Sequence, residues 1–198
     1  MDGRSRLAAS IRSMVASTNP AIVVSEQVLE RIPHIFAGNW SHYRKWRFKL
    51  SRMLEVDPCD ISITGSACVG VSLSPYKDFS DFDGGSDVDV AVISPYHFDM
   101  AWRCLRSFRL ADATSRRERQ AIIRHRQNYI YWGCVATDKI LRLMPFSKQW
   151  LIASSKMQGI SPTDGRDVNF RIYRDYDSLR SYQINGVRTL RAQLMDSQ

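Results

Sequence analysis

The run Val88–Ile93, VDVAVI, constrains this chain more than any other stretch. It is short, β-branched and apolar, the composition of a strand at the centre of a sheet. Ser94-Pro95 follows without a gap. Serine is a favoured helix N-cap and proline a favoured first helical residue, so the strand passes directly into a helix. That helix, SPYHFDMAWRCLR, places Phe98, Trp102 and Leu105 on one face. A central strand needs partners on both edges, and two further segments qualify. Ile61–Thr64 reads as a short strand. DVNFRIYR alternates, with Val168, Phe170 and Ile172 on one face and Asp167, Asn169, Arg171 and Tyr173 on the other.

Helical spacing accounts for much of the remainder. Residues 5–16 and 25–36 read as amphipathic helices separated by a break at Thr18-Asn19-Pro20. Residues 39–54 carry Trp40, Tyr43, Trp46, Leu50, Met53 and Leu54 at helical spacing, and Asp57-Pro58 closes that helix. Residues 115–127 form a very basic helix. The aromatic run NYIYWG leads into ATDKILRLMPF, read as a helix closed before Pro145, and SPTDG at residues 161–165 is a turn. A last helix spans about 177–194. Helices, two strands, helices, a strand and a helix make an α/β (α+β) domain with a small mixed sheet flanked by helices. At 198 residues the chain is expected to be one domain. Its parts are a helical N-terminal part (1–58), a sheet core with inserted helices (59–175) and a C-terminal helix (176–198).

Composition excludes several classes. An apolar fraction of 44%, with five Trp, eight Tyr and eight Phe, argues against disorder. No apolar run approaches the ~20 residues of a membrane span, so no membrane partner is expected. The N-terminal stretch lacks the apolar core of a secretory signal; it is Ser/Arg-rich, which also fits a transit peptide, and is read as a surface helix. Cys59, Cys68, Cys104 and Cys134 are too scattered for a zinc site, as are His34, His42, His97 and His125. Reduced thiols and a cytoplasmic location follow as the expectation. The formal charge is +8, concentrated between Asn39 and Met53 (five Lys/Arg, no acid) and between Arg103 and Arg126 (eight Arg). Such runs are either solvated helix faces or a surface for polyphosphate, and composition leaves both open.

The chemistry concentrates in ITGSACVGVSLSPYKDFSDFDGGSDVDVAVIS, Ile61–Ser94. Gly65 and Gly70 have Walker A spacing, but Val71-Ser72 stands where Lys-Ser/Thr is required. An EF-hand loop counted from Asp81 puts Ser86 at the turn glycine and Val92 at the bidentate Glu. What remains is Asp87-Val88-Asp89. In a strand both carboxylates project from the same face, where they repel unless a cation lies between them or one is protonated. Mg²⁺ is commonly held by one or two carboxylates plus substrate phosphates. Gly65 would allow a phosphate close to the backbone, and Ser66 would donate to it. The plain alternatives are a solvated strand end for the aspartates and an ordinary turn for Gly65-Ser66.

Gly-Ser at the end of one strand, then SDVDVAV in the next, resembles the nucleotidyltransferase superfamily of the polymerase-β type, whose signature is Gly-Ser followed by Asp-h-Asp-h with h apolar. The resemblance covers Ile61–Ile93 and, loosely, Val168–Tyr173. It implies a fold with extra N- and C-terminal helices around the sheet, and transfer of NMP from an NTP to a hydroxyl acceptor: RNA or tRNA, a protein or a small molecule. It implies Asp87 and Asp89 as catalytic metal ligands for Mg²⁺ (or Mn²⁺), and Gly65, Ser66 and Ser86 as nucleotide-binding, with Ser86 shaping the loop that presents the acids. A third acid is expected from the later strand, where Asp167 and Asn169 are the candidates and Asp138 a fallback. Arg171 is either a phosphate ligand or a counter-ion. The interval from Ser66 to Asp87 is longer than usual, an insertion or extended hairpin. Basic helices point to a nucleic-acid partner. Small stand-alone members of this superfamily also occur in toxin–antitoxin and phage-defence settings. Without the third acid, a degenerate module that binds nucleotide, nucleic acid or a partner protein is the alternative.

Overall fold

The structure, a computed structural model, describes residues 3–196. Residues 1–2 and 197–198, at the ends of the two terminal helical parts read from sequence, lie outside the described residues. The fold is a four-stranded mixed sheet flanked by helices. Strand β1 (Ile61–Thr64), β2 (Val88–Ile93), β3 (Cys134–Ala136) and β4 (Val168–Tyr173) lie in the order β1-β2-β4-β3. The VDVAVI strand is central, antiparallel to β1 and parallel to β4, while β3 closes the far edge antiparallel to β4.

The two faces of β2 explain the architecture. Val88, Val90 and Val92 are fully buried in the main core with Ile61, Ile63, Phe170 and Ile172. Helices α3 (Trp40–Leu54), α5 (Pro95–Ser107) and α7 (Ser147–Met157) supply Trp46, Leu50, Leu105, Trp150 and Met157 to that core. Burying one such side chain is worth about 1.5–3 kcal/mol. On the opposite face the strand changes character along its length. Ala91 and Ile93 pack with Tyr173 and Leu179 beneath the long helix α8 (Tyr176–Asp196). Asp87 and Asp89, four and two residues before Ala91 on the same face, emerge from that cover. One face of β2 is therefore core at its end and open site at its start.

The N-terminal helices α1 (Gly3–Ser17) and α2 (Pro20–Val24) pack on α8. The sequence break at Thr18-Asn19-Pro20 is a helix start: the Asn19 side chain accepts from the Ala21 N–H at 2.9 Å, with Pro20 in the first turn. The segment expected as a helix over 25–36 instead begins at Pro20, continues as a π-turn over Ser25–Leu29 and ends before Pro33; only His34–Phe36 is again helical, as one 3₁₀ turn. Helix α3 is closed by Glu55 in the left-handed conformation, φ 56°, two residues before Asp57-Pro58, which starts a 3₁₀ turn of its own.

The helix expected within ATDKILRLMPF is absent. Cys134–Ala136 is β3, followed by a turn and a single 3₁₀ turn at Leu141–Leu143. The Thr137 N–H and hydroxyl both donate to the Phe170 carbonyl, at 3.0 and 2.7 Å, which ties this segment to β4. The basic helix α6 (Arg116–Arg124) does form, capped by Ser115 and prolonged by a π-turn over His125–Tyr129. Helix α7 has no counterpart among the sequence expectations. None of the helices among the described residues is long and apolar enough to cross a membrane.

Candidate functional site

The site is built where β1 and β2 run side by side, with Thr64 opposite Asp89. After Thr64 the chain turns into the five-residue helix α4 (Gly65–Val69). Gly65 makes that turn at φ +64°, and a Cβ there would lie 2.8 Å from Asp89 Oδ2. Both the conformation and the space demand glycine. The start of α4 therefore lies against the Asp89 carboxylate across the two strands, and Ser66 lines the same cleft.

Asp87 is exposed at the strand entrance, and Asp89 is half-buried one pleat further in. Burial pushes the Asp89 carboxyl above the usual carboxylate range; Arg171 opposes the shift, while Asp87 and Asp138 add to it. The neighbouring cations thus leave part of the cost of ionising Asp89 uncompensated, which is the environment a bound cation suits.

On β4, Asn169 pairs in register with Asp89, and its side-chain Nδ2 donates to Asp87 Oδ2 at 3.0 Å. Of the two strand candidates for a third acid, Asn169 occupies the position beside the pair. Asp167 holds β2 through its backbone, its carbonyl accepting from the Val88 N–H at 2.8 Å, and its side chain is not among those that line the cleft. The fallback, Asp138, is exposed on the turn after β3 and does line the cleft; the expected helix start there does not form. Among the described residues no group of three or more His, Cys, Asp or Glu is placed to hold one ion. The donor set fits a single Mg²⁺ or Mn²⁺ held by Asp87 and Asp89 together with substrate phosphates.

Arg171, two residues along β4, acts on Asp89 through its charge and also lines the cleft. Its guanidinium lies over the Tyr182 ring at 5.1 Å and the Tyr129 ring at 5.9 Å, and Nη1 donates to the Tyr182 hydroxyl. Stacking between two tyrosines fixes the cation where a flexible lysine would wander.

The long interval from Ser66 to Asp87 is an extended hairpin. Ser72 N–H donates to Ser80 O at 2.8 Å and Phe82 N–H to Gly70 O at 2.9 Å, bracketing a bridge between Val71 and Asp81. Phe79 is buried beneath the Arg12 guanidinium, and Asp78 pairs with Arg12 of α1. At its base Arg166 lies over the Phe82 ring and donates to the Ser86 carbonyl. Ser86 itself faces away from the cleft: its hydroxyl donates to Asp83 Oδ1 at 2.9 Å and accepts from the Asp83 N–H, locking the turn before Asp87. The tip of the hairpin brings Tyr76 and Lys77 to the cleft.

Together these elements enclose a cleft of about 780 Å³, within the range of small-molecule and cofactor sites. Gly65, Ser66, Asp87 and Asp89 form its floor with Asn169 and Arg171; Lys77, Arg124, Tyr129 and the polar side chains of α8 form its walls. Of the wall residues, Lys77, Arg124 and Tyr129 were not candidates from sequence. The charge run around Arg124 and the aromatic run holding Tyr129 were visible, but neither indicated which side of the sheet it would reach.

Comparison of the chain with protein-family models, with curated proteins and with solved structures finds no match.

Proposed function

We propose that the chain is a metal-dependent nucleotidyltransferase that moves NMP from a nucleoside triphosphate to a hydroxyl acceptor. One observation carries this reading: Gly65-Ser66 and the Asp87/Asp89 pair, separated by twenty residues of hairpin, meet on adjacent strands with Gly65 against Asp89 Oδ2. A phosphate-binding backbone turn and a carboxylate pair in contact are what a triphosphate carrying a divalent cation requires. Mg²⁺ or Mn²⁺ held by Asp87 and Asp89 would offset charge on the triphosphate and the leaving pyrophosphate.

The chain's own groups supply the rest. Gly65 and Ser66 receive phosphate oxygens, while Lys77 and Arg171 add positive charge at the wall and floor. The acceptor oxygen bonds to the α-phosphorus. The bond from that phosphorus to its bridging oxygen breaks, and pyrophosphate departs with the electron pair. The acceptor proton passes to Asp138, the exposed carboxylate of the cleft that lies outside the metal-binding pair.

Asn169 favours a second reading. With an amide where a third carboxylate would complete a two-metal site, the same cleft would bind nucleotide without turning it over. Incubation with each labelled NTP and Mg²⁺ or Mn²⁺, over protein and RNA acceptors, separates the two. Label transferred by wild type and lost in Asp87→Ala/Asp89→Ala supports the transferase. Mg²⁺-dependent nucleotide binding without label supports the binding module. Equal labelling by wild type and the double variant overturns catalysis at this site.

A further inference from the structure

A second cleft of about 560 Å³ adjoins the first and shares Arg124, Tyr129 and Asp138 with it. It runs along α6 and is lined by Arg116, Arg117, Arg124 and Lys139, all exposed, with Asp138 as its one acid. None of these four cations belongs to an ion pair among the described residues. The one acid of α6, Glu118, is occupied elsewhere: its carboxylate accepts from the Thr114 N–H at 2.7 Å and the Thr114 hydroxyl at 2.9 Å. The cations therefore face solvent uncompensated, as a surface that attracts a polyanion does.

Aromatic side chains stand at the junction with the adjoining cleft and within it. Tyr129 lies at the junction of the two clefts, on the π-turn that prolongs α6. Tyr76, on the hairpin tip, lines the adjoining cleft and is 90% exposed. Large aromatics left this open bury no surface of their own, and unpaired bases stack on such rings at about 1–3 kcal/mol each. Uncompensated cations leading to aromatics at the junction match a single strand, whose phosphates and bases are both accessible. A duplex hides its bases, and a plain polyanion has none.

We propose that the α6 cleft is the track for the end of a single-stranded polynucleotide acceptor. The strand's phosphates lie along Arg116, Arg117 and Lys139, and its terminal hydroxyl reaches Asp138 at the junction with the nucleotide cleft. The role as acceptor rests on the transferase reading; the binding of the strand does not.

The test is fluorescence anisotropy of the full chain with short labelled single-stranded RNA and DNA across a salt series. Duplex DNA and heparin serve as competitors, and binding of a fluorescent ATP analogue with Mg²⁺ is followed in parallel. Arg116→Ala/Arg117→Ala should weaken single-strand binding about tenfold or more and reduce the salt slope by about two. It should leave binding of the ATP analogue unchanged. Tyr76→Ala should weaken single-strand binding with the salt slope intact, a result that charge alone does not produce. Preference for RNA or for DNA identifies the source of the strand, and either supports the track. Absence of single-strand binding by wild type, equal competition by heparin, or wild-type affinity in the double-arginine variant overturns it. Single-strand binding that depends on these residues, in a protein that binds no ATP analogue, supports the track while removing the transferase reading.

Discussion

Gly65 and Asp89 touch across the β1–β2 pair so closely that a single methyl group on Gly65 would lie 2.8 Å from Asp89 Oδ2. The contact joins the two halves of the candidate site, and the positive φ of Gly65 sets the direction in which α4 starts. Gly65→Ala introduces both left-handed strain and a clash with a side chain on the central strand. It should cost about 1–3 kcal/mol of stability and abolish Mg²⁺-dependent nucleotide binding. Urea unfolding and nucleotide titration of the same preparation check both effects. A variant that folds and binds as wild type contradicts this account of the site.

Asp89 is held above its ordinary pKa, chiefly by burial. A carboxyl raised in the folded state favours the fold below its unfolded value of about 3.9, and that contribution is lost as pH rises through the raised value. Above that raised value the metal-free protein carries a destabilising charge. Asp89→Asn should raise its melting temperature by a few degrees at neutral pH, on the order expected for relieving a strained functional group. The gain should vanish near pH 3.5. Mg²⁺ with nucleotide should stabilise wild type and not the variant. Lower stability of Asp89→Asn at neutral pH would contradict the assigned electrostatics.

Asn169 donates to Asp87 where a third acid would complete a two-metal site. Asn169→Asp replaces a 3.0 Å hydrogen bond with a like charge beside two carboxylates, so the metal-free protein should lose about 1–3 kcal/mol. Apparent Mg²⁺ affinity should rise by roughly tenfold or more, because site charge governs divalent binding. Melting temperature followed over a Mg²⁺ titration reads both. An unchanged Mg²⁺ response would mean that Asn169 is not next to the ion.

His125 and His97 are buried, and burial is the main cause that lowers the pKa of each. His125 bridges α6 and β3, and burial favours its neutral ring: Nδ1 lies 2.6 Å from the Ala121 carbonyl oxygen, and Nε2 lies 2.9 Å from the Ala136 carbonyl oxygen and 3.1 Å from the Ala136 nitrogen. For a depressed histidine the unfolded chain binds the proton first. Stability is then full above about pH 6.5 and declines as pH falls from there through the lowered folded value. Denaturation midpoints should drop between pH 7 and pH 5. The drop should be smaller in His125→Gln, whose midpoint at pH 7 is itself below wild type. An identical pH dependence in the two proteins would contradict the neutral bridge.

The elements that carry their own signal were legible in the sequence. VDVAVI reads as a central strand because contiguous β-branched residues bury both faces at its end, and Ser94-Pro95 marks the next helix by capping chemistry alone. β3 was not legible, because three residues hold no period. Its state is set by pairing with Arg171–Tyr173 and by Thr137 on Phe170, contacts more than thirty residues away in sequence. The floor of the cleft was legible for a related reason: Asp87 and Asp89 share a face by strand geometry, whatever surrounds them. The walls were not. Lys77 reaches the cleft because Phe79 is buried and Asp78 is tied to Arg12, and Tyr129 reaches it through a π-turn that no local spacing announces. Ser86 shapes the turn before Asp87 as expected, through its bonds with Asp83, but is not among the residues that line the cleft.

The central claim is that Gly65-Ser66 and Asp87/Asp89 form one site for a nucleoside triphosphate with its divalent ion. Calorimetric titration of each NTP into the full chain, with Mg²⁺ and then with EDTA, measures it most directly. The account predicts saturable binding with Mg²⁺ that EDTA abolishes and that Asp87→Ala/Asp89→Ala loses. Nucleotide binding that survives both EDTA and removal of the two aspartates would contradict it, as would no binding of any NTP to the wild-type chain.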